Sequence, residues 1–337
     1  MTAPTVTLSL ADAETLVTDA LHAVGTSPKN AASVARALVA AEAEGQVGHG
    51  FSRISDYAAQ VRSGKVNGRA EPKCALTHDA ALAVDAQDGF AYPALDLAIE
   101  TGVEMAKRQG CAAMTVTRSH HCGALSVQVA KIAQNGLIGL MVANTPAGMA
   151  PWGAHVPVFG TNPIAFAAPR QNGEALVIDL SLSKVARGKI MHAKKNGQSI
   201  PEGWALDASG SPTTDPDAAL AGSMVPMGEA KGTALALMVE ILSAVLPAAN
   251  PSREVSSFFS ADGPPSGAGQ FLLALAPPDV AAFSARLEPI LSFISNLDGA
   301  RLPGARRSAT IAAAQDNGID VPQQYVDHAR QLASRSA

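Results

Sequence analysis

Cysteine, aromatic residues and charge are all in short supply. The three cysteines, Cys74, Cys111 and Cys122, are odd in number and widely spaced, which argues against a disulfide framework and suits a reducing compartment. Aromatics make up 4% of the 337 residues and charged residues 16%, while 47% are apolar. That composition excludes a disordered chain, and the length allows two domains with a substantial core. Net charge is −4 with no basic block, which argues against nucleic acid or an anionic membrane surface as a partner. No apolar run approaches the length of a membrane span. The opening MTAPTVTLSLADAET has neither a basic start nor a continuous apolar stretch, so a signal peptide is not expected and the expected location is the cytoplasm. The chain also lacks a P-loop and the Gly-rich strand-to-helix turn that usually marks a dinucleotide site. The nearest approach, Gly48-His49-Gly50-Phe51-Ser52-Arg53, ends in Arg where the third glycine belongs and joins two expected helices.

The pattern that is present begins with helices. Ser9, with Asp12 three positions on, caps a helix that Gly25 closes, and Ser27 with Pro28 opens a second that runs to Gly45. A third is expected from Phe51 to Arg62, stopping at Gly64. The segment GKVNGRAEP, residues 64–72, is a boundary rich in turn residues. Beyond it short apolar runs alternate with amphipathic helices: ALAVDA, a helix over 93–109, AAMTVT, a helix over 124–135, then LIGLMVA. This alternation indicates an α/β or α+β domain. A turn-rich middle contains NGQSIPEGWALDASGSPTTDP, a strong helix follows Lys231, and the tail after Pro278 is again helical, expected to pack on the N-terminal helices.

Chemistry concentrates in GHGFSRISDY, residues 48–57. His49 stands between two glycines, with Arg53 one helical turn on and Tyr57 one turn further. That spacing would align a proton donor, a carboxylate-binding guanidinium and a phenol on one helix face. On spacing alone, an ordinary capped surface helix explains the same residues. His120, His121 and Cys122 form a triplet that superficially suits a metal. Adjacent side chains diverge and no second Cys/His pair stands at zinc spacing, so no metal site is expected.

The stretch from Arg118 to Arg170, above all GTNPIAF at 160–166, resembles the malate/L-lactate dehydrogenase-like oxidoreductases, and the resemblance extends over nearly the whole chain. That NAD(P)-dependent family includes sulfolactate and ureidoglycolate dehydrogenases and reductases of Δ1-piperideine- and Δ1-pyrroline-2-carboxylate. The resemblance implies a mixed-sheet, non-Rossmann α/β fold with a helical domain. We take that domain as residues 1–72 plus 278–337, and the NAD(P)-binding domain as 73–277. A family motif of Ser-His-Gly followed by Arg and Tyr maps onto Gly48, His49, Gly50, Arg53 and Tyr57. It makes His49 the proton donor and places Arg53, with Tyr57, on the substrate. Gly48 replaces the motif's serine, and Lys189 stands where some relatives carry an assisting aspartate, so Lys189, or water and Tyr57, would help position the proton.

By the same resemblance His120, His121, Cys122, Gly123 and Ala124 form a loop against the cofactor, with His121 catalytic or orienting the nicotinamide. The helix beyond this loop offers N–H groups to an anion. Gly160 and Thr161, then Asp179, Leu180 and Ser181, then Lys231 and Arg306, complete the expected cofactor contacts. Taken singly, Asp179 also reads as a helix cap, Lys231 as a solvated first-turn charge and Arg306 as a surface cation. The function implied is NADPH- or NADH-dependent reduction of a 2-oxo acid such as oxaloacetate, pyruvate or sulfopyruvate by a homodimer. Reduction of a cyclic imino acid is the alternative, and a dinucleotide-binding protein without turnover the rival from another class.

Overall fold

The computed structural model describes residues 4–334, so 1–3 and 335–337, which the domain assignment includes, lie outside the described residues. The chain opens with a strand, β1 (Thr5–Leu8), and then α1 (Leu10–His22) and α2 (Pro28–Ala43). Both helices begin at the expected caps: the hydroxyls of Ser9 and Ser27 accept from the amides of Asp12 and Asn30.

The third helix differs from expectation. Two short 3-10 turns, Val47–His49 and Phe51–Arg53, precede α3 (Ile54–Arg62). The cause is Glu42 on α2, whose carboxylate accepts the Phe51 amide at 2.8 Å and lies flat against Gly50. His49, Arg53 and Tyr57 therefore do not share a continuous helical face.

The larger unit is built from β2 (Lys73–His78), β3 (Ala81–Asp85), α4 (Ala91–Gln109), β4 (Cys111–Ser119), α5 (Leu125–Ala133), β5 (Ile138–Ala143), β6 (Ile164–Pro169) and β7 (Ala175–Leu180). The turn-rich middle holds α6 (Arg187–Lys195), α7 (Pro216–Ala221) and three two-residue strands, β8 (Ala205–Leu206), β9 (Pro212–Thr213) and β10 (Ser223–Met224). Then come α8 (Ala230–Glu240), which continues into a π turn over Ile241–Val245, and β11 (Ala268–Leu275). The chain closes with α9 (Val280–Ser295), α10 (Ala305–Asn317), β12 (Ile319–Pro322) and α11 (Gln323–Ala333).

Seven strands form one mixed sheet in the order β2-β3-β4-β11-β5-β6-β7. Only β3 and β4 run parallel, joined by α4, because a parallel pair needs a long crossover. One sheet face carries α4 and α5 over a core of Leu82, Leu95, Met114, Ile132 and Met141. On the other, Val142 and Phe271 meet Ile190 of α6 and Val239 of α8. Burial of each such side chain contributes about 1.5–3 kcal/mol.

A separate core joins the two ends of the chain, with Val17, Leu21 and Leu38 packed among Val326, Ala329 and Leu332 of α11. It carries a two-stranded ribbon of β1 and β12, Thr5 opposite Pro322 through Leu8 opposite Ile319, so the segments read as all-helical also pair as strands. The tail divides: α10 and α11 reach the N-terminal helices, whereas α9 is tied to the β6–β7 turn. There Arg170 forks onto Glu288 at 3.0 and 2.9 Å, and Ser284 donates to the Pro169 carbonyl.

Candidate active site

His49 and Arg53 are held by a folded-back turn. The Arg53 Nε donates to the Gly48 carbonyl at 2.8 Å, closing a loop around His49. The turn depends on Gly50, where a Cβ would fall 1.9 Å from Glu42 Oε2. The guanidinium lies 4.3 Å from the ring centre of Phe259, a cation–π contact, and Nη1 is 3.7 Å from Asp56 Oδ2. Nη1 is buried and makes no hydrogen bond among the described residues, which leaves a donor for a ligand.

The second half of the site comes from the end of β4. Residues Thr117 and Arg118 bulge where Gly269 alone faces them, and Arg118 adopts φ +47°. Its guanidinium forks onto Asp85 at 2.9 and 2.7 Å, and Nη1 lies 3.5 Å from Asp88. A bulge re-aims the residues beyond it, and here it turns His120 and His121 inward. The His121 ring stacks on His49 at 5.2 Å between centroids. His120 sits edge-on to Tyr57, Phe90 and Phe258, and neither of its ring nitrogens has a partner among the described residues.

Burial pushes the His49 pKa down to about 4, and the charge of Arg53 adds to the effect. Burial likewise takes His120 down to about 3, with help from Lys65 and Arg53, and holds His121 well below the ordinary histidine value. All three rings are neutral at rest.

Tyr57 meets other side chains of the protein. It is fully buried, and its hydroxyl is 2.6 Å from His121 Nδ1 and 2.9 Å from the hydroxyl of Tyr92. The hydroxyl expected on the substrate is held here by a histidine of the site. Burial is also what raises its pKa far above the ordinary phenol value.

The segment EVSSFFSADGPP, which is uninformative as sequence, closes the site. Its backbone carbonyls are strapped to the end of α3 and the turn beyond: Gln60 donates to Phe258 and Ser260, Ser63 to Ala261, and Lys65 Nζ to Ser257, Ser260 and Asp262. This strap presses Phe258 onto both His120 and His121 and sets Phe259 under Arg53. Glu42, Tyr92, Phe258 and Phe259 all escaped the reading of the sequence. The one signal was the adjacent Phe258 and Phe259 in an otherwise aromatic-poor chain.

The remaining expected residues make contacts of their own. Asp179 caps a helix: Oδ2 accepts from the Ser126 amide at 2.9 Å, so this N–H of α5 is already taken and does not serve an external anion. Glu44 accepts from Ser126 and Gln46, and Arg307 Nε lies 3.1 Å from it, making a knot of two buried acids and one base. Burial raises the pKa of both acids. Arg306 is exposed, and its neighbour Arg307 is the residue turned inward.

Cys122 is buried with its thiol pushed up to about 12, and Gly123 packs on Tyr92. Ala124 stands at the N-cap of α5, with no side-chain bond of its own. A Cβ at Gly160 would meet Thr145 Oγ1 at 2.1 Å, and the Thr161 amide donates to that oxygen, so the GTN backbone closes on the protein itself. Leu180 is exposed, and Ser181 lies 3.3 Å from the Ser183 hydroxyl. Lys189 on α6 and Lys231 on α8 are exposed, and neither side chain makes a hydrogen bond or ion pair among the described residues. Nothing in the structure brings Lys189 to His49.

A sequence model of the malate/L-lactate dehydrogenase family matches residues 8–329. The chain belongs to that family. It is 45% identical over 327 residues to the (2R)-3-sulfolactate dehydrogenase (NADP(+)) of Chromohalobacter salexigens, covering 97% of this chain and 98% of that protein. Δ1-Pyrroline-2-carboxylate reductase 2 of Burkholderia multivorans is 38% identical over 327 residues, covering 96% of each. The crystal structure of Δ1-piperideine-2-carboxylate reductase from Pseudomonas syringae superposes with a TM-score of 0.92 at 36% identity, over 97% of this chain and 99% of that one.

As a member of the malate/L-lactate dehydrogenase family, the chain is an NAD(P)-dependent oxidoreductase with a mixed α/β fold. Its unsatisfied polar atoms fit such a cofactor. Ser119 Oγ, Gln270 Oε1 and both His120 nitrogens are buried without partners where β4 ends beside β11, as an amide-bearing ring requires. Among the described residues no helix is long and apolar enough to cross a membrane.

Proposed function

We propose that this enzyme reduces the carbonyl of a 2-oxo acid to the 2-hydroxy acid, in the manner of malate, lactate or sulfolactate dehydrogenases. One observation carries the reading: Arg53 keeps a buried, unspent N–H while sharing a turn with His49. A guanidinium so placed takes a carboxylate, and the adjacent imidazole then faces the carbonyl next to it.

Charge does the rest. The Arg53 cation helps to hold His49 neutral, so a substrate carboxylate that neutralises Arg53 makes His49 easier to protonate. His49 then delivers its proton to the oxygen as the carbonyl carbon is reduced. NADPH or NADH supplies the hydride. Ser119, His120 and Gln270 would hold its nicotinamide end.

A cyclic imino acid satisfies the same two residues, Arg53 on its carboxylate and His49 on its nitrogen, and relatives named for that activity keep it as the second reading. Absorbance loss of NADPH and NADH with pyruvate, oxaloacetate, sulfopyruvate and the two cyclic imines decides between them. Turnover of the open-chain acids supports the proposal, and turnover of the imines alone replaces it. Cofactor binding with no turnover of any of them sinks both.

We further infer a homodimer in the cytoplasm. The outer face of α8 and its π turn exposes Leu237, Ile241, Val245 and Leu246, an apolar stripe suited to a second copy. Its cysteines are unpaired, as a reducing compartment requires. Light scattering on a Val245→Glu variant tests the interface, which predicts a shift from dimer toward monomer.

A further inference from the structure

We propose that Tyr92 and Tyr57 form a one-way chain of hydroxyl donors that fixes His121 with its proton on Nε2, as a hydrogen-bond donor into the site. The chain joins three elements: Tyr92 on α4, Tyr57 on α3 and His121 beyond β4, with separations of 2.9 and 2.6 Å. All three residues are buried.

The direction comes from counting protons. Tyr92 has no hydrogen-bond partner other than Tyr57 among the described residues. The backbone at Gly123 closes over its hydroxyl, where an added Cβ would sit 2.6 Å from the oxygen. In one arrangement Tyr92 donates to Tyr57, Tyr57 donates to His121 Nδ1, and the imidazole proton is on Nε2. Both buried hydroxyl protons then have acceptors, and the Nε2 proton is left to point into the site. In the reverse arrangement His121 Nδ1–H donates to Tyr57 and Tyr57 to Tyr92, which strands the Tyr92 proton without one. A buried donor left unsatisfied is the costlier state, so the first arrangement prevails.

This assigns different work to the two stacked histidines. His121 accepts from Tyr57 on one side and presents an N–H on the other, beside His49. It steadies the substrate's carbonyl oxygen by donation, while the transferred proton comes from His49. Tyr57 and Tyr92 are positioning residues that act through His121. The division of labour rests on the reduction proposed above, whereas the proton arrangement does not.

Protein labelled with ¹⁵N-histidine and read by long-range ¹H–¹⁵N correlation at neutral pH tests it, with His121 assigned from the spectrum of the His121→Gln variant. The wild type is expected to show Nε2–H at His121. Tyr57→Phe should shift it toward a mixture with Nδ1–H and lower kcat about tenfold with KM nearly unchanged, whereas Tyr92→Phe should keep Nε2–H, because the Tyr57 proton then has no acceptor but His121 Nδ1. An Nδ1–H signal in the wild type, or a signal that Tyr57→Phe does not move, overturns the chain. Should phenylalanine at 92 loosen the core, the wild-type and Tyr57→Phe spectra decide. If the tautomer is as stated but no 2-oxo acid or imine turns over, the proposed reaction fails and the proton arrangement stands.

Discussion

His49 and His121 stack ring on ring, their centroids 5.2 Å apart and their planes 19° from parallel. Two imidazoles so close cannot both take a proton, because each charge repels the other and both lie beside Arg53. The pair therefore carries at most one extra proton, and the better hydrated partner, His49, receives it.

Binding a carboxylate should raise the His49 pKa. Its pKa is pushed down to about 4 in the free protein, first by burial and then by Arg53, and saturating oxamate should lift the part due to Arg53. Proton NMR of the His49 ring reads this, and a titration indifferent to oxamate would remove Arg53 from the carboxylate. The same depressed value makes His49 a liability in acid. The unfolded ring protonates near 6.5, so this contribution to stability is intact above that pH and is lost as pH falls toward 4.

Arg53→Lys should raise KM for the 2-oxo acid roughly 10- to 100-fold, because an ammonium replaces neither the fork nor the stack on Phe259. Phe259→Ala, which leaves the guanidinium in place, should cost less. Steady-state kinetics would refute this if the lysine variant lost kcat alone.

Glu42→Gln should stabilise the protein at high pH. Burial pushes Glu42 up to about 7, from an ordinary value of 4.5, so its ionisation in the fold is opposed. A raised carboxyl favours the fold while protonated, and that advantage fades as pH rises from 4.5 through 7. The variant's relative stability should therefore grow over that window, by roughly 3 kcal/mol at most. Denaturant unfolding at pH 5 and pH 8 measures the difference; equal differences would contradict the buried, neutral carboxyl.

Arg307→Ala should destabilise the fold by about 3 kcal/mol, since Glu44 and Asp179 would be left as buried acids without a cation. Arg306→Ala, at an exposed position, should change stability by less than about 0.5 kcal/mol. A loss of cofactor affinity from the Arg306 change would support its expected place on the cofactor.

Lys189→Ala should leave kcat within about twofold, because the lysine is solvent-exposed on α6, whereas His49→Gln should lower it by roughly 10²–10⁴-fold. Parallel assays of the two variants decide whether Lys189 serves the proton.

Much of the architecture was legible because its causes are local. Ser9, Ser27 and Pro28 mark helix starts through bonds spanning three residues, and the alternation of apolar runs with amphipathic helices announces the sheet and its covering layers. The ribbon of β1 and β12 was not legible, because its strands lie more than three hundred residues apart and each alone is too short to signal a partner. The helical face expected from His49 to Tyr57 failed for a related reason. A carboxylate on another helix, Glu42, captures the Phe51 amide and diverts the chain.

The sequence by itself determined the family and the helix starts at Ser9 and Ser27, because motifs and caps are local, and it is the family resemblance that marks His49, Arg53 and His121 as the residues expected to do the chemistry. Only the tertiary structure decided what each one faces. Tyr57 and His121 are 64 residues apart, Tyr57 and Tyr92 are 35 apart, and Gln60 reaches Phe258 across 198. Contacts over such distances depend on how strands and helices stack in space, and no local spacing encodes them. Folding therefore turned a phenol expected at the substrate into a buried support for a histidine, and a loop without a motif into the wall of the site.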